Sequence, residues 1–260
     1  MSEYIAYTYL PGGYDMFGRP TSKEKKTIRC KTMENGIKEM VGLLERAKDY
    51  HHSSYLELDG KYAAQMEFGP ADGVYLLHRK NQKDVFIDRS GKVIAGKVYV
   101  VSTANARQRC KTFKEAVLLA ARTGIGTAVK VCEPSKEMRF VIKENIFTKG
   151  NPLLVWHGSN SYYREYYTIG KDGSTRFIPY YTATVSGDNQ YGDEFFKEAH
   201  FTASSKEIAK KKAIDYMERI ANNNRNARVF DVTLEWHPKK FEFTRDMEKI
   251  CTVDIDGRRR

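Results

Sequence analysis

ARQRCKTFKEAVLLAA (residues 106–121) sets the plan of this chain, because two further stretches follow it. The earlier is KTIRCKTMENGIKEMVGLLERA (residues 26–47) and the later is EAHFTASSKEIAKKKAIDYMERI (residues 198–220). Each leaves a strand-like segment and reaches a hydroxyl residue suited to cap a helix: Thr32, Thr112 or Ser204. Glu115 and Glu207 follow their caps by three residues, which is capping-box spacing, and Asn35 holds that place in the first copy. Apolar residues then recur three to four apart: Ile37, Met40, Val41, Leu44; Phe113, Ala116, Val117, Ala120; Ile208, Ala209, Ala213, Met217. One such box is commonplace. Three with comparable flanks make a repeat.

β-rich runs follow each helix at residues 53–60, 127–133 and 227–236. Ahead of the second and third helices the match extends further. Residues 74–105 lie against residues 153–189, with His78 on His157, the turn 89–91 on 171–173, and Tyr99 near Tyr181. The expected fold is therefore α+β, in three serial units that each pack a small antiparallel sheet with one amphipathic helix. The units span residues 1–73 (shortened), 74–150 (basic) and 151–245 (aromatic-rich), with a disordered tail at 246–260. Residues 11–26 read as a turn-rich loop, 104–111 as a basic turn, and 187–195 as a loop before the third helix. Asp59-Gly60 reads as a hairpin turn.

A chain of 260 residues can bury a substantial core, and no apolar run approaches membrane-spanning length. The start, MSEYIAYTYLPGG, carries no basic segment ahead of an apolar one, so no secretory signal is read and a cytoplasmic setting is expected. Four cysteines, Cys30, Cys110, Cys132 and Cys251, form no CxxC pair and have no His at ligand spacing. No metal or cofactor is expected. No phosphate-binding glycine loop, paired-carboxylate motif or nucleophile elbow occurs, so the expectation is a non-catalytic protein.

The formal net charge is +11. Residues 74–150 hold 16 Lys+Arg against 6 Asp+Glu, whereas residues 1–73 hold 10 against 11 and residues 151–260 hold 18 against 16. Solubility does not require one segment to carry the surplus, but a polyanion-binding face does. The candidate phosphate contacts are Arg79, Lys80, Lys83, Arg89, Lys92, Lys97, Arg107, Arg109 and Lys111. The competing explanation is an ordinary solvated face. Seventeen tyrosines add candidates for base stacking, of which Tyr162 and Tyr163 beside Arg164 lie in a polar turn. Strand propensity and packing explain most of the others.

The TFKEA opening of the second helix (residues 112–116), behind a small sheet, resembles the AP2-type DNA-binding module. The likeness covers residues 84–123 and again 166–221, and is also similar to the arm-binding domain of tyrosine recombinases. In those families the sheet reads nucleic acid, so the resemblance implies an interface on strands. The basic charge, length and serial units look like the chimallin C-like RNA-binding proteins of large nucleus-forming phages. That likeness implies RNA as partner, other viral proteins as further partners, and the host cytoplasm as setting. RNA or single-stranded nucleic acid is expected over duplex DNA, because no helix motif for a major groove is visible. Two other readings stand beside it. LLVWHGS (residues 153–159) resembles the ADP-ribosyltransferase strand motif and implies an enzyme built on His157, although the repeat also accounts for that histidine. A phage structural or protein-interaction module is the other.

Overall fold

The computed structural model describes residues 3–14, 20–46, 53–158, 164–188, 191, 193–223, 229–238 and 248–254. Its class is α+β: among the described residues there are three helices and antiparallel strands, in two compact units, Met1–Val141 and Ile142–Arg260.

The first unit runs β1 (Tyr4–Tyr14), β2 (Pro20–Cys30), α1 (Met33–Arg46), β3 (Ser54–Leu58), β4 (Lys61–Phe68), β5 (Val74–Arg79), β6 (Val85–Asp88), β7 (Val98–Ser102), β8 (Arg107–Cys110), α2 (Phe113–Thr123), β9 (Ala128–Glu133) and β10 (Lys136–Lys143). β1 to β6 form one sheet in the order β2-β1-β3-β4-β5-β6, and a second contains the order β10-β9-β7-β8. The second unit runs β11 (Leu153–His157), β12 (Arg164–Ile169), β13 (Thr175–Phe177), β14 (Tyr180–Asp188), β15 (Glu194–Phe201), α3 (Lys206–Asn223), β16 (Val229–His237) and β17 (Glu248–Asp254). β11, β12 and β13 pair in sequence, and the order β15-β14-β16-β17 forms a four-stranded sheet.

One connection recurs. A hairpin leads into a helix, and the strand after the helix returns to the hairpin's first strand on its other side. This holds for β1-β2-α1-β3, β7-β8-α2-β9 and β14-β15-α3-β16. The last residue of each pre-helix strand faces a tyrosine: Cys30 opposite Tyr4, Cys110 opposite Tyr99 and Phe201 opposite Tyr181.

Each helix covers one face of its sheet. α1 sinks Met40, Val41, Leu43 and Leu44 against Ala6, Leu56 and Met66. Each large side chain so buried contributes about 1.5–3 kcal/mol. The helix comes so close that a Cβ on Gly36 would lie 2.5 Å from Leu56 Cδ1, a position only glycine fills without displacing a core side chain. Phe113 of α2 meets the rings of Tyr99 and Phe140, and Ala209, Ala213 and Met217 of α3 pack with Ala183, Val185, Val232 and Leu234. Thr112 caps α2 by accepting from Glu115 N–H at 3.2 Å, and Thr32 does the same for α1 with Asn35. Asp59 and Gly60 both take positive φ, at 50° and 74°, as a two-residue hairpin turn requires.

Several expectations need correction. β2 begins inside residues 11–26, β8 replaces the basic turn, and β15 begins inside 187–195. All three are the outermost strands of their sheets. An edge strand carries charge along one rim, which hides the apolar alternation that marks an inner strand. The tail at 246–260 contains β17, paired with β16. β5 pairs with β4 and β6 with β5, so the first sheet continues across residue 73, and segment 74–150 supplies strands to both sheets of the first unit. The division at Val141/Ile142 likewise precedes the expected boundary at 150. Ile208 is 44% exposed rather than part of the packed face of α3. Finally, Ser205 rather than Ser204 caps α3: its Oγ accepts from Ile208 N–H at 3.3 Å, and its carbonyl accepts from Ala209.

That last point has a direct test. Ser205→Ala should cost about 1 kcal/mol in urea unfolding followed by circular dichroism, whereas Ser204→Ala should cost a small fraction of it.

Candidate nucleic-acid interface

The first unit does not gather the nine basic candidates into one patch. Arg79, Lys80 and Lys83 lie at the β5–β6 turn, whereas Arg89 and Lys92 follow the far end of β6. Four strand residues separate the two groups by about 13 Å. Arg89 is held by its neighbours: Nη2 meets Asp72 Oδ2 at 2.9 Å, and Nε lies 3.6 Å from Glu45 Oε1. Tyr75 hydroxyl donates to the same Glu45 oxygen, and burial, followed by that bond, pushes its pKa up to about 12. Arg89 therefore ties α1 to the loops around the sheet. Lys97 Nζ is bound to Glu133 Oε1 at 2.7 Å, which raises the lysine pKa and lowers that of the carboxyl.

Arg107 and Arg109 are different, because they stand on a strand and alternate with Gln108 and buried Cys110. The pairing sets Arg109 beside Val100, Val100 beside Lys130, and Lys130 beside Arg139, in one row across β8, β7, β9 and β10. Arg107 begins the parallel row through Ser102 and Ala128. The intervening row, Val101, Val129 and Phe140, shares the side of Tyr99 and Val131 that α2 covers. Strand alternation therefore puts Arg107, Arg109, Lys130 and Arg139 on the face away from the helix. Three strand spacings make that row about 14 Å wide.

Part of this face is closed. Val98, Val100 and Cys132 pack with Val74, Phe86 and Ala71 from the β5–β6 side. The arginines on either side of this closure stay open. Arg107, Arg109 and Arg139 are exposed and have no carboxylate at ion-pair distance among the described residues. Lys130 Nζ meets Glu137 Oε1 at 2.8 Å. Like charges directly across a ladder repel, and Lys130 and Arg139 are such a pair. Lys111 follows β8, with its N–H donated to Glu115 Oε2 at 2.9 Å and its side chain exposed.

Sequence reasoning missed Lys130 and Arg139. The signal was present: Lys130 alternates with apolar Val129 and Val131, and Arg139 with Met138 and Phe140. Each is the polar member of a half-buried strand.

In the second unit the matching face carries opposite chemistry. Glu198 and His200 occupy the β15 positions that correspond to Arg107 and Arg109, and Glu235 takes that of Lys130. Tyr180 is stacked between His200, centroids 5.3 Å apart, and His237, at 4.4 Å. Tyr166 hydroxyl bonds His200 Nδ1 at 2.9 Å, and Thr182 Oγ1 bonds His237 Nε2 at 3.0 Å. Burial pushes both imidazoles down to about 4, with Arg164 and His237 adding to the effect on His200. Burial raises Glu198 and Glu235, against the pull of Arg164 on Glu198 and helped by Glu198 at Glu235. Arg164, expected as a ligand contact, has its Nε buried without a hydrogen-bond partner. Tyr162 and Tyr163 lie outside the described residues, as does Ser159 of the LLVWHGS segment, whose His157 is exposed at the end of β11. Among the described residues, no group of three or more His, Cys, Asp or Glu is arranged to hold a metal ion, and no helix is long and apolar enough to cross a membrane.

The two histidines bind protons in the unfolded chain near pH 6.5 but in the folded one only near 4. Their neutral burial therefore contributes stability that is complete above pH 6.5 and is lost as pH falls toward 4, at up to ~1.4 kcal/mol per pH unit for each. Glu198 and Glu235 act in the opposite sense, losing stability as pH rises through their raised values. Urea midpoints at pH 7 and 5 should drop more in the wild type than in His200→Gln/His237→Gln.

Comparison of the chain with protein-family models, with curated proteins and with solved structures finds no match.

Proposed function

We propose that this protein binds RNA or single-stranded nucleic acid without catalysis, with phosphates along the helix-free face of β8, β7, β9 and β10. The observation that carries the reading is the row Arg109, Lys130 and Arg139, with Arg107 beside it, on the sheet of the segment that holds the charge surplus. The three recurrences of hairpin, helix and returning strand are, on this reading, serial copies of one sheet–helix unit whose free faces have diverged. Exposed arginines on strands can track a phosphate backbone. Entry into a major groove calls for a projecting helix, and all three helices here lie against their sheets. The resemblance to sheet-reading modules and to phage RNA-binding proteins points the same way.

The experiment is affinity for an unstructured RNA across a range of salt concentrations. Arg107→Ala/Arg109→Ala/Arg139→Ala should reduce the log–log salt slope by about 0.7 for each arginine that meets a phosphate, roughly 2 in all. Lys97→Ala, whose ammonium already serves Glu133, should leave the slope unchanged. A triple variant with the wild-type slope would remove the interface from this face.

A further inference from the structure

We infer that the ring of Tyr62, flanked by Lys61 and Lys80, is a base-stacking subsite for one nucleotide of a bound single strand. The inference rests on the nucleic-acid reading above and adds a second point of contact on the first sheet. Tyr62 stands on β4 opposite Glu57, and Glu57 stands opposite Ile5. Tyr55 alternates with Leu56, and Tyr7 with Ala6; Leu56 and Ala6 belong to the core under α1. Tyr7, Tyr9, Tyr55 and Tyr62 therefore share the face that α1 leaves uncovered.

Three of these rings are occupied with one another. Tyr7 stacks on Tyr55 at 5.3 Å, and Tyr9 sets its edge against both, at 5.7 and 6.3 Å. Tyr62 is the exception, at 44% exposed. It lines an open cleft of about 470 Å³ between the β3–β4 and β5–β6 turns, large enough for a nucleotide. Lys80 N–H donates to Ala63 carbonyl at 3.0 Å, so the two turns are fastened together and the cleft is built in advance.

The charges around the ring suit a nucleotide. Lys61 and Lys80 line the cleft, both exposed. Of the nearby acids, Glu57 opposite Tyr62 is hydrogen-bonded with Tyr7, Asp59 lines the same cleft with its Oδ1 accepting Glu3 N–H at 2.8 Å, and Asp84 Oδ2 meets His78 Nδ1 at 2.9 Å. A base lying on the Tyr62 ring leaves its flanking phosphates within the reach of two ammonium groups. Stacking on tyrosine tolerates any base, because every base presents a π face, whereas a paired base does not offer one.

The test uses a 20-nucleotide oligouridine and a 20-base-pair RNA duplex. Tyr62→Ala should weaken oligouridine binding by about 5- to 150-fold with little change in salt slope, Tyr62→Phe should stay within about twofold, and duplex affinity should hold. Oligouridine carrying 4-thiouridine should photocrosslink to the wild-type peptide that contains Tyr62. Wild-type affinity in Tyr62→Ala, equal losses in the Ala and Phe variants, or bound RNA that crosslinks elsewhere would each overturn the subsite. If Arg107→Ala/Arg109→Ala/Arg139→Ala still weakens binding in that case, the nucleic-acid reading survives. Failure of the wild type to bind either RNA at low salt would overturn both.

Discussion

Each sheet in this protein that carries a helix has one face closed by it, and that constraint decides where chemistry can be placed. The helix must bury its apolar stripe, and it does so on one side of the hairpin and the strand that returns to it. Met40 and Leu44 on Leu56, Phe113 on Tyr99 and Phe140, and Met217 beside Val232 are three solutions of the same problem. Alternation along the strands then assigns every second residue to the other face. Whatever the protein binds through its sheets, it meets residues from that set.

The free faces differ because their packing partners differ. In the first unit, β5 and β6 bring Val74 and Phe86 over Val98, Val100 and Cys132, an apolar closure that leaves the neighbouring arginines outside it. In the second unit β12 brings Tyr166 to Tyr180 and His200, with Thr182 and His237 close by. Hydrogen bonds and ring stacking add to apolar contact with Leu153 and Val155 there, and the cost of burying imidazole is lowered by keeping it neutral. A polyanion would find carboxylates at Glu198 and Glu235 where the first unit offers Arg107 and Lys130. The same architecture thus presents a basic row once and a buried polar cluster once.

Cations that look alike in the sequence are unlike in place. Arg89 joins Glu45, Asp72 and Tyr75, and Lys97 is bound to Glu133, so these two serve the fold. Arg107, Arg109 and Arg139 have no such partner among the described residues, and Arg109 stands in one row with Arg139 across the sheet. Proximity in sequence grouped Arg89 with Lys92 and Arg79. Strand geometry groups Arg109 with Arg139, thirty residues later, instead.

The three helices, the caps at Thr32 and Thr112, the Asp59-Gly60 turn and the α+β class were determined by the sequence itself, because capping, helical periodicity and turn conformation act within a few residues. The charge surplus of residues 74–150 was equally legible from composition. The edge strands β2, β8 and β15 were not, since a strand with one solvated rim needs no apolar alternation and its identity comes from the backbone it pairs with. Nor was the basic row. Lys130 and Arg139 become neighbours of Arg109 only through hydrogen-bond register between strands separated by a helix, and register is a property of the folded sheet rather than of any local segment.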